Sequence, residues 1–233
     1  MTAQAEPLEG DYLYGVSTVR AAPGELSALL DWFEAWKATD FHEAAGLPEP
    51  LVMRHTQGDQ WDLLVIKPME SWLAHFDEDA TAGRQAAADE HAELLSGYHE
   101  LVAFHEDHFA YGPPLSALQP AWDESDFFHV EMFYALPGLA GDLMEQRRME
   151  NEYLAATGQV PNFIFRRSSG SDVDVFTIGF HESLQSFAAP APVTDEEKQN
   201  AARDAGFDGL ADISFYMRSL ISAHRDTLAV KVE

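Results

Sequence analysis

The order of apolar and polar positions predicts a β-α-β-β-α-β unit in the first half of the chain. Residues 12–19 are aromatic and β-branched, which is typical of a strand. From Glu25 onward the apolar residues recur at spacings of three and four, which predicts a helix with one buried face. Two short strands around a turn at Gly58 follow, and then a long helix over 85–104 and a brief strand over 108–111.

The second half of the chain repeats this order at a period of about 115 residues, too long for a solenoid repeat. The sequence therefore predicts an α+β protein of two tandem ferredoxin-like repeats, covering residues 1–112 and 126–233. A proline-containing linker is expected over residues 113–125. The matching segments are Pro23-Gly24 with Pro137-Gly138, Gln57-Gly58 with Ser169-Gly170, and His105-x-Asp107 with His224-x-Asp226.

Each predicted unit is a four-stranded antiparallel sheet with helices on one face, so two units can bury their free faces against each other. The element order and the duplication resemble the dimeric α/β-barrel superfamily, here as a pseudo-dimer on one chain. That superfamily includes antibiotic-biosynthesis-type monooxygenases, muconolactone-isomerase-like enzymes, stress-response proteins and haem enzymes resembling chlorite dismutase. The resemblance implies a ligand site between the two sheets.

Composition limits the cellular compartment and the classes of binding partner that are expected. The chain has 233 residues and 46% apolar residues, enough for a substantial core, and it has no cysteine, so it forms no disulfides. A formal charge of −26 makes nucleic acid and anionic membranes poor partners. No apolar run is long enough to span a bilayer, and the polar residues 1–10, a loose tail, lack the pattern of a signal peptide. The expected location is cytoplasmic.

The first strand of each half predicts where polar chemistry lies, because alternate side chains point to opposite faces. The mostly apolar set is expected to face the helices, and the other set to face the space between the sheets. The apolar set comprises Tyr14, Val16, Thr18, Phe128, Val130 and Met132, and the inward set comprises Gly15, Ser17, Val19, His129, Glu131 and Phe133.

In this arrangement His129 and Glu131 are a candidate acid–base pair or half of a metal site, although no metal is expected overall. The small residues Gly15 and Ser17 would leave space for a ligand, which Phe133 would also line. Arg54, Arg166 and Arg167 on the second strands could supply a cation that holds an oxyanion or carboxylate. The alternatives are that His129 and Glu131 face solvent, or that they form a structural ion pair.

The repeated His-x-Asp motif has a structural interpretation. A histidine near a helix C-terminus is favoured by the helix dipole, and an aspartate in the following turn can bond local amides. The resemblance to chlorite dismutase makes His224 an alternative axial haem ligand. Asp62 and Asp174 recur at one hairpin position and are interpreted as structural acids.

The predicted function is binding of a small, largely apolar molecule, with monooxygenase-like or isomerase-like chemistry and no cofactor. The alternatives are a non-catalytic ligand-binding or stress-response module and a haem-binding protein. The chain lacks G-x-G-x-x-G, P-loop, G-x-S-x-G and H-E-x-x-H motifs, which argues against nucleotide-dependent enzymes, α/β-hydrolases and zincins. Trp32 and Trp36, one helical turn apart, suggest a homodimer contact or a core stripe.

Overall fold

The computed structural model describes residues 7–232, so residues 1–6 of the predicted N-terminal tail lie outside the described residues. The helices and strands alternate in the predicted order, with extra short helices between them. In chain order they are β1 (Tyr12–Ala21), α1 (Leu26–Lys37), α2 (Phe41–Ala44), β2 (Leu51–Gln57), β3 (Leu63–Glu70), α3 (Trp72–His75), α4 (Glu78–Glu90), α5 (Ala92–Leu101), β4 (Val102–Gly112), α6 (Leu115–Asp123), β5 (Phe127–Ala135), α7 (Ala140–Ala156), β6 (Phe163–Ser169), β7 (Val175–His181), α8 (Leu184–Phe187), α9 (Asp195–Asp204), α10 (Leu210–Leu220) and β8 (Ile221–Lys231).

The eight strands form one closed antiparallel barrel in the order β1-β3-β2-β8-β5-β7-β6-β4. Within the first half the strands lie in the order β4-β1-β3-β2, and within the second in the order β8-β5-β7-β6. The halves join where β2 pairs with β8 and β4 pairs with β6. The α+β class is confirmed, and the barrel leaves no sheet edge unpaired.

Two hairpin glycines allow the halves to approach closely. Gly58 has a φ of 133°, and a Cβ there would lie 2.2 Å from the carbonyl oxygen of Asp226. Gly170, with a φ of 93°, would place a Cβ 3.1 Å from the carbonyl oxygen of Asp107. Each hairpin therefore packs on the last strand of the other half, which only glycine permits without displacement or strain.

The barrel interior is filled with apolar side chains from all eight strands. Tyr14, Phe128, Phe165 and Phe176 are among the largest fully buried side chains. The rings of Phe165 and Phe176 stack at 4.6 Å, and Tyr14 meets the edge of Phe165 at 5.4 Å. The centre of the barrel is therefore packed core. A cavity of about 280 Å³ lies between the two halves at one end of the barrel, and its lining includes Thr18, His108, Met132 and Tyr134.

The predicted assignment of the two strand faces is wrong. Tyr14, Val16 and their counterparts on β5 point into the barrel, because a closed barrel has no helix inside and must be filled by strand side chains. Val19 and Phe133 instead pack with the helix layer outside. The alternating set that contains His129 and Glu131 therefore faces the helices. Both faces are covered, so apolarity alone could not distinguish them.

The helices pack on the outer surface of the barrel. Leu29 and Phe33 of α1 cover the first half, together with residues of α5. Leu143 of α7, with Met217 and Leu220 of α10, covers the second half. Each half thus has a space between its sheet and its helices.

The segment predicted as a linker contains helix α6. Its Ala117, Leu118 and Trp122 belong to the barrel core cluster. The indole of Trp122 stacks on Phe128 at 4.9 Å. The backbone carbonyl oxygen of Trp122 accepts a hydrogen bond from Lys231 Nζ at 2.6 Å. The segment 113–125 therefore contributes to the core where β5 begins and β8 ends.

The last strand of each half is longer than predicted. The helix expected over 85–104 is two helices that meet at His91, and β4 begins at Val102. His105 pairs with Val19 and His224 pairs with Phe133 across the ladders. The interpretation of these histidines as helix-terminal residues is wrong, because strand pairing overrides the local helical pattern.

Asp62 and Asp174 are structural acids, as the sequence predicted. Asp62 Oδ2 accepts a hydrogen bond from the amide of Ala21 at 2.8 Å, and Asp174 Oδ2 accepts one from Ala135 at the same distance. Each carboxylate therefore satisfies the last amide of the first strand in its half.

Candidate functional site

A cluster of polar side chains lies on the outer face of the second half, where β5 and β8 run side by side. β5 supplies His129 and Glu131, and β8 supplies His224 and Asp226. Glu131 is the ladder partner of Asp226. Since alternate residues of a strand share a face, these four side chains point together toward α7.

Each of the two imidazoles lies within 3.4 Å of a carboxylate oxygen of the cluster. His129 Nε2 lies 3.2 Å from Asp226 Oδ1. His224 Nε2 lies 3.3 Å from Glu131 Oε1 and 3.4 Å from Asp226 Oδ1. The ring of His224 also stacks on Phe133, at 4.6 Å and an interplanar angle of 9°. Phe133 is therefore the apolar floor of the cluster.

Helix α7 brings a buried cation to the cluster. Arg147 Nη1 lies 3.5 Å from Glu131 Oε2, and the same guanidinium pairs with Glu150 one turn further along the helix. Its Cζ lies 4.5 Å from the centroid of the Phe133 ring. Thr177 on β7 donates a hydrogen bond to Glu131 Oε2 at 3.1 Å. The two oxygens of Glu131 thus have separate partners.

These contacts shift the pKa values of ionisable side chains in the cluster. Burial alone would raise the pKa of Glu131, but the hydrogen bond from His224 and the charge of Arg147 lower that pKa to about 2. Burial opposes protonation of His129, yet Asp226 and Glu131 together raise its pKa. Burial raises the pKa of Glu150, which Arg147 only partly offsets. Glu131 is therefore an ionised, buried carboxylate.

A cavity of about 540 Å³ lies beside the cluster. His129, Glu131 and Glu150 form its polar side. His181 and Phe187 also line it, with the proline-rich segment 189–192. A small molecule in this cavity would be in reach of the clustered carboxylates and imidazoles.

The three arginines predicted beside Glu131 lie elsewhere. Arg166 pairs with Asp11, and Arg167 donates to Asp174 Oδ1 at 2.6 Å. Within residues 7–232, neither these two nor Arg54 forms an ion pair with Glu131. The cation is Arg147, which sequence reasoning missed. Arg147 stands ten residues after Pro137, and the matching position in the first half, ten residues after Pro23, is Phe33. This difference between the halves was a signal that the sequence contained.

Gly15 and Ser17 are also not opposite His129 and Glu131. They lie on β1, across the barrel from β5, and on the outer face of the first half. Ser17 donates a hydrogen bond to Asp107. Ser17 therefore lines one pocket against the helices of the first half, whereas Gly15 lines a separate one, the first-half pocket.

That first-half pocket has a volume of about 480 Å³ and mostly apolar walls. Its aromatic and apolar lining residues are Trp36, Phe41, Leu47, Pro48, Pro50, Pro68, Met69 and Phe109. Its polar groups include His42, Lys67 and His75. Trp36 Nε1 and His75 Nδ1 are buried and have no hydrogen-bond partner in the described part of the chain.

His42 and His75 of this pocket favour the neutral form. Burial lowers the pKa of His42. Burial, followed by the charges of Arg84 and Lys67, lowers the pKa of His75. Lys67 Nζ on β3 lies 3.6 Å from Asp107 Oδ1 on β4, across β1. The pocket thus combines imidazoles with one ammonium group and the carboxylate that pairs with it.

The surroundings of His224 do not fit an axial haem ligand. Its Nε2, the atom that would bind iron, points at the carboxylates of Glu131 and Asp226. One face of its ring is covered by Phe133.

Trp32 and Trp36, which suggested a homodimer contact, pack within the chain. Trp32 Nε1 donates to the carbonyl oxygen of Leu94 at 2.8 Å, and its ring lies 4.9 Å from Tyr98. Trp36 lies 4.5 Å from His42. The core-stripe interpretation therefore accounts for both indoles, and the homodimer stays a prediction.

Comparison with known proteins places the fold. No family model and no curated protein matches the sequence. An anthrone oxidase-like protein superimposes with a TM-score of 0.58 at 12% identity, over 97% of this chain and 94% of that chain. A monooxygenase-like protein from Lactobacillus acidophilus NCFM gives 0.55 at 8% identity, over 96% and 95%.

A chlorite dismutase variant from Candidatus Nitrospira defluvii gives a TM-score of 0.51 at 9% identity, over 99% of this chain and 96% of that chain. No helix in residues 7–232 has the length and apolar character needed to cross a membrane. These three structures superimpose on nearly the whole of this chain. The chain therefore has the fold of the dimeric α/β-barrel superfamily.

Proposed function

We propose that the protein is a small-molecule enzyme that binds a largely apolar, aromatic substrate in the first-half pocket and oxidises it with O₂. The observation that carries this proposal is the pocket itself: about 480 Å³, apolar walls and a few convergent polar groups. That size and composition are typical of small-molecule sites. The similarity to anthrone oxidase-like and monooxygenase-like proteins supports the reaction class.

The walls favour a planar aromatic ligand. Trp36, Phe41 and Phe109 offer ring faces and edges, and the Met69 thioether is a polarisable contact. The unpaired ring nitrogens of Trp36 and His75 are the groups that gain most from a ligand carbonyl or hydroxyl. A buried donor without a partner costs about 1–3 kcal/mol, which a bound oxygen atom would recover after a small ring rotation.

The polar groups fit removal of an acidic proton from such a substrate. Neutral His75 accepts the proton, and the ammonium of Lys67 stabilises the oxyanion that results. The electron-rich substrate then reduces O₂. A CH₂ group becomes a carbonyl, one oxygen atom of O₂ enters the product, and the other leaves as water with the two hydrogens.

We also propose that the two halves are tandem ferredoxin-like repeats, which would make the second-half cavity the counterpart of this pocket. The matched Pro-Gly, Gly hairpin and His-x-Asp segments support the duplication. The same strand order in both halves also supports it. Counting from the matched Glu70-Ser71 and Glu182-Ser183, His75 corresponds to Phe187 and Met69 to His181.

The test uses anthrone as the probe, with tryptophan fluorescence to follow binding and an oxygen electrode to follow turnover. His75→Phe takes the residue found at the matched second-half position and removes the proposed base. It should lower kcat by about 100-fold or more while anthrone still quenches the fluorescence. The control, His181→Met, gives a second-half histidine the residue found at its matched first-half position, Met69, and should leave both signals unchanged.

Three results would each decide against the proposal in a different way. Absence of saturable quenching by anthrone removes the substrate class. Quenching without oxygen uptake favours a non-catalytic binding module. Full turnover by the folded His75→Phe variant removes His75 as the base.

A further inference from the structure

We propose that His129, Glu131 and Asp226 bind a divalent first-row transition-metal ion on the outer face of the second half. One ligand atom from each residue lies within 4.8 Å of the others. The site is separate from the first-half pocket, so this inference does not depend on the proposed function. One imidazole and two carboxylates are a ligand set suited to Mn²⁺, Fe²⁺, Co²⁺ or Zn²⁺.

The spacing of the ligand atoms fits one ion. With metal–ligand bonds of about 2.1 Å, adjacent ligand atoms stand about 3.0–3.4 Å apart and opposite ones about 4.2 Å. His129 Nε2 and Asp226 Oδ1 are already 3.2 Å apart. The atoms are at most 4.8 Å apart, and the side chain of Asp226, which is 58% exposed, is free to move toward the ion.

Two of the surrounding groups hold Glu131 in place through the oxygen that would not bind the ion. Arg147 and Thr177 both contact Glu131 Oε2, which leaves Oε1 on the side of the cluster. His224 Nε2 lies 3.3 Å from that Oε1 and 3.4 Å from Asp226 Oδ1. His224 is therefore a positioning residue that orients both ligands, as hydrogen-bonding partners do around metal sites.

Charge favours a cation here. Glu131 and Asp226 contribute two carboxylates beside a third, Glu150, and Arg147 is the single buried arginine that faces them. The imidazoles of His129 and His224 are the other ionisable groups of the cluster. A divalent ion would offset the excess negative charge more completely than the arginine alone.

The ion would be accessible to small molecules. Three protein ligands leave open coordination positions, and the cavity of about 540 Å³ adjoins His129 and Glu131. A ligand with an oxygen donor, such as a carboxylate or a phenolate, has the chemistry to occupy an open position.

The first half provides a built-in comparison. Gly15 and Ser17 stand at the positions of His129 and Glu131, and only Asp107 matches Asp226. Two of the three ligands are therefore missing there. One ion per chain is expected, not two.

The full-length protein, freed of metal with EDTA, should be titrated with MnCl₂ while the EPR signal of free Mn²⁺ is recorded. About 1 M KCl screens weak binding to the acidic surface. The wild type should remove one equivalent of Mn²⁺ per chain from the free signal. His129→Gly and Glu131→Ser, which install the first-half residues, and the isosteric Glu131→Gln should abolish stoichiometric binding.

His224→Gln should weaken Mn²⁺ binding by about 10- to 100-fold, because it disturbs the orientation of both carboxylates. The control is Asp107→Asn in the first half, which should bind as the wild type does. Circular dichroism confirms that each variant is folded. No stoichiometric uptake of Mn²⁺, Co²⁺ or Zn²⁺ by the folded wild type overturns the proposal. So does unchanged binding in folded His129→Gly and Glu131→Gln, or equal weakening by Asp107→Asn.

Discussion

The guanidinium of Arg147 meets the carboxylate of Glu131 across the interface between α7 and the barrel, with Nη1 3.5 Å from Oε2. Both side chains are almost completely buried, at 2% and 11% exposure. Arg147 also pairs with Glu150, so one cation compensates two buried carboxylates. In the first half, aromatic Phe33 and Trp36 occupy the corresponding helix positions.

Arg147→Met should therefore lower the free energy of unfolding by about 3–5 kcal/mol, because two buried carboxylates lose their cation while the volume changes little. Urea unfolding at pH 7 measures the loss. The matched control is the neighbouring Arg148→Met. Arg148 pairs with Glu9 and Glu145 at the surface, so its loss should cost less than about 1 kcal/mol. Similar costs for the two variants would show that the buried pair does not stabilise the fold.

The sequence predicted the β-α-β-β-α-β order because its signals are local. A Pro-Gly pair begins each first helix, and Gly58 and Gly170 mark the hairpins. The barrel was expected only from the resemblance to the dimeric α/β-barrel superfamily, because the β2–β8 and β4–β6 pairings that close it join segments far apart in the chain. No local pattern reports such long-range pairing.

The site was predicted in part for the same reason. His129 and Glu131 are two residues apart on one strand, so alternation alone places them together. Their contacts with His224, Asp226 and Arg147 depend on strand register and on the position of α7. The face was misassigned because β5 carries apolar residues on both sides, Phe128 and Val130 inward and Phe133 outward.

Helix α6 offers a test of whether the segment 113–125 stabilises the barrel. Leu118 is fully buried in the barrel core, whereas Ser116 on the same helix is exposed. Leu118→Ala should cost about 2–5 kcal/mol of unfolding free energy, through lost burial and the cavity that remains. Ser116→Ala should change it by no more than about 0.5 kcal/mol. Equal effects in chemical denaturation would mean that the segment is only a connection.

Asp62 and Asp174 should differ in how much stability the protein loses when each is replaced by asparagine. Asp62→Ala and Asp174→Ala each leave a strand amide without its acceptor, which should cost about 1–3 kcal/mol. Asparagine keeps an acceptor oxygen but removes the charge. Because Asp174 also pairs with Arg167 at 2.6 Å, Asp174→Asn should lose more stability than Asp62→Asn. Thermal unfolding of the four variants measures this, and equal losses for the two asparagine variants would contradict it.

His108 should make the barrel sensitive to mild acid. It is 3% exposed, neither ring nitrogen has a partner within residues 7–232, and the ring lies 6.1 Å from Phe176. Burial lowers the pKa of His108 from 6.5 to about 4, although Asp107 partly opposes the shift. The unfolded chain therefore binds a proton at a pH where the folded protein does not. Stability is complete above about pH 6.5 and falls as the pH drops toward 4, by at most about 3 kcal/mol.

His108→Leu removes this titration and should flatten the pH dependence of the unfolding free energy between pH 6.5 and 4.5. Some slope should remain, because burial also lowers the pKa values of His42, His75 and His181. Glu131 does not contribute in this range, since its stabilising effect is lost only as the pH falls from its ordinary value near 4.5 toward about 2. Urea unfolding at half-unit pH intervals measures the difference between the two proteins. Parallel curves would mean that His108 is hydrated or paired in solution and keeps an ordinary pKa.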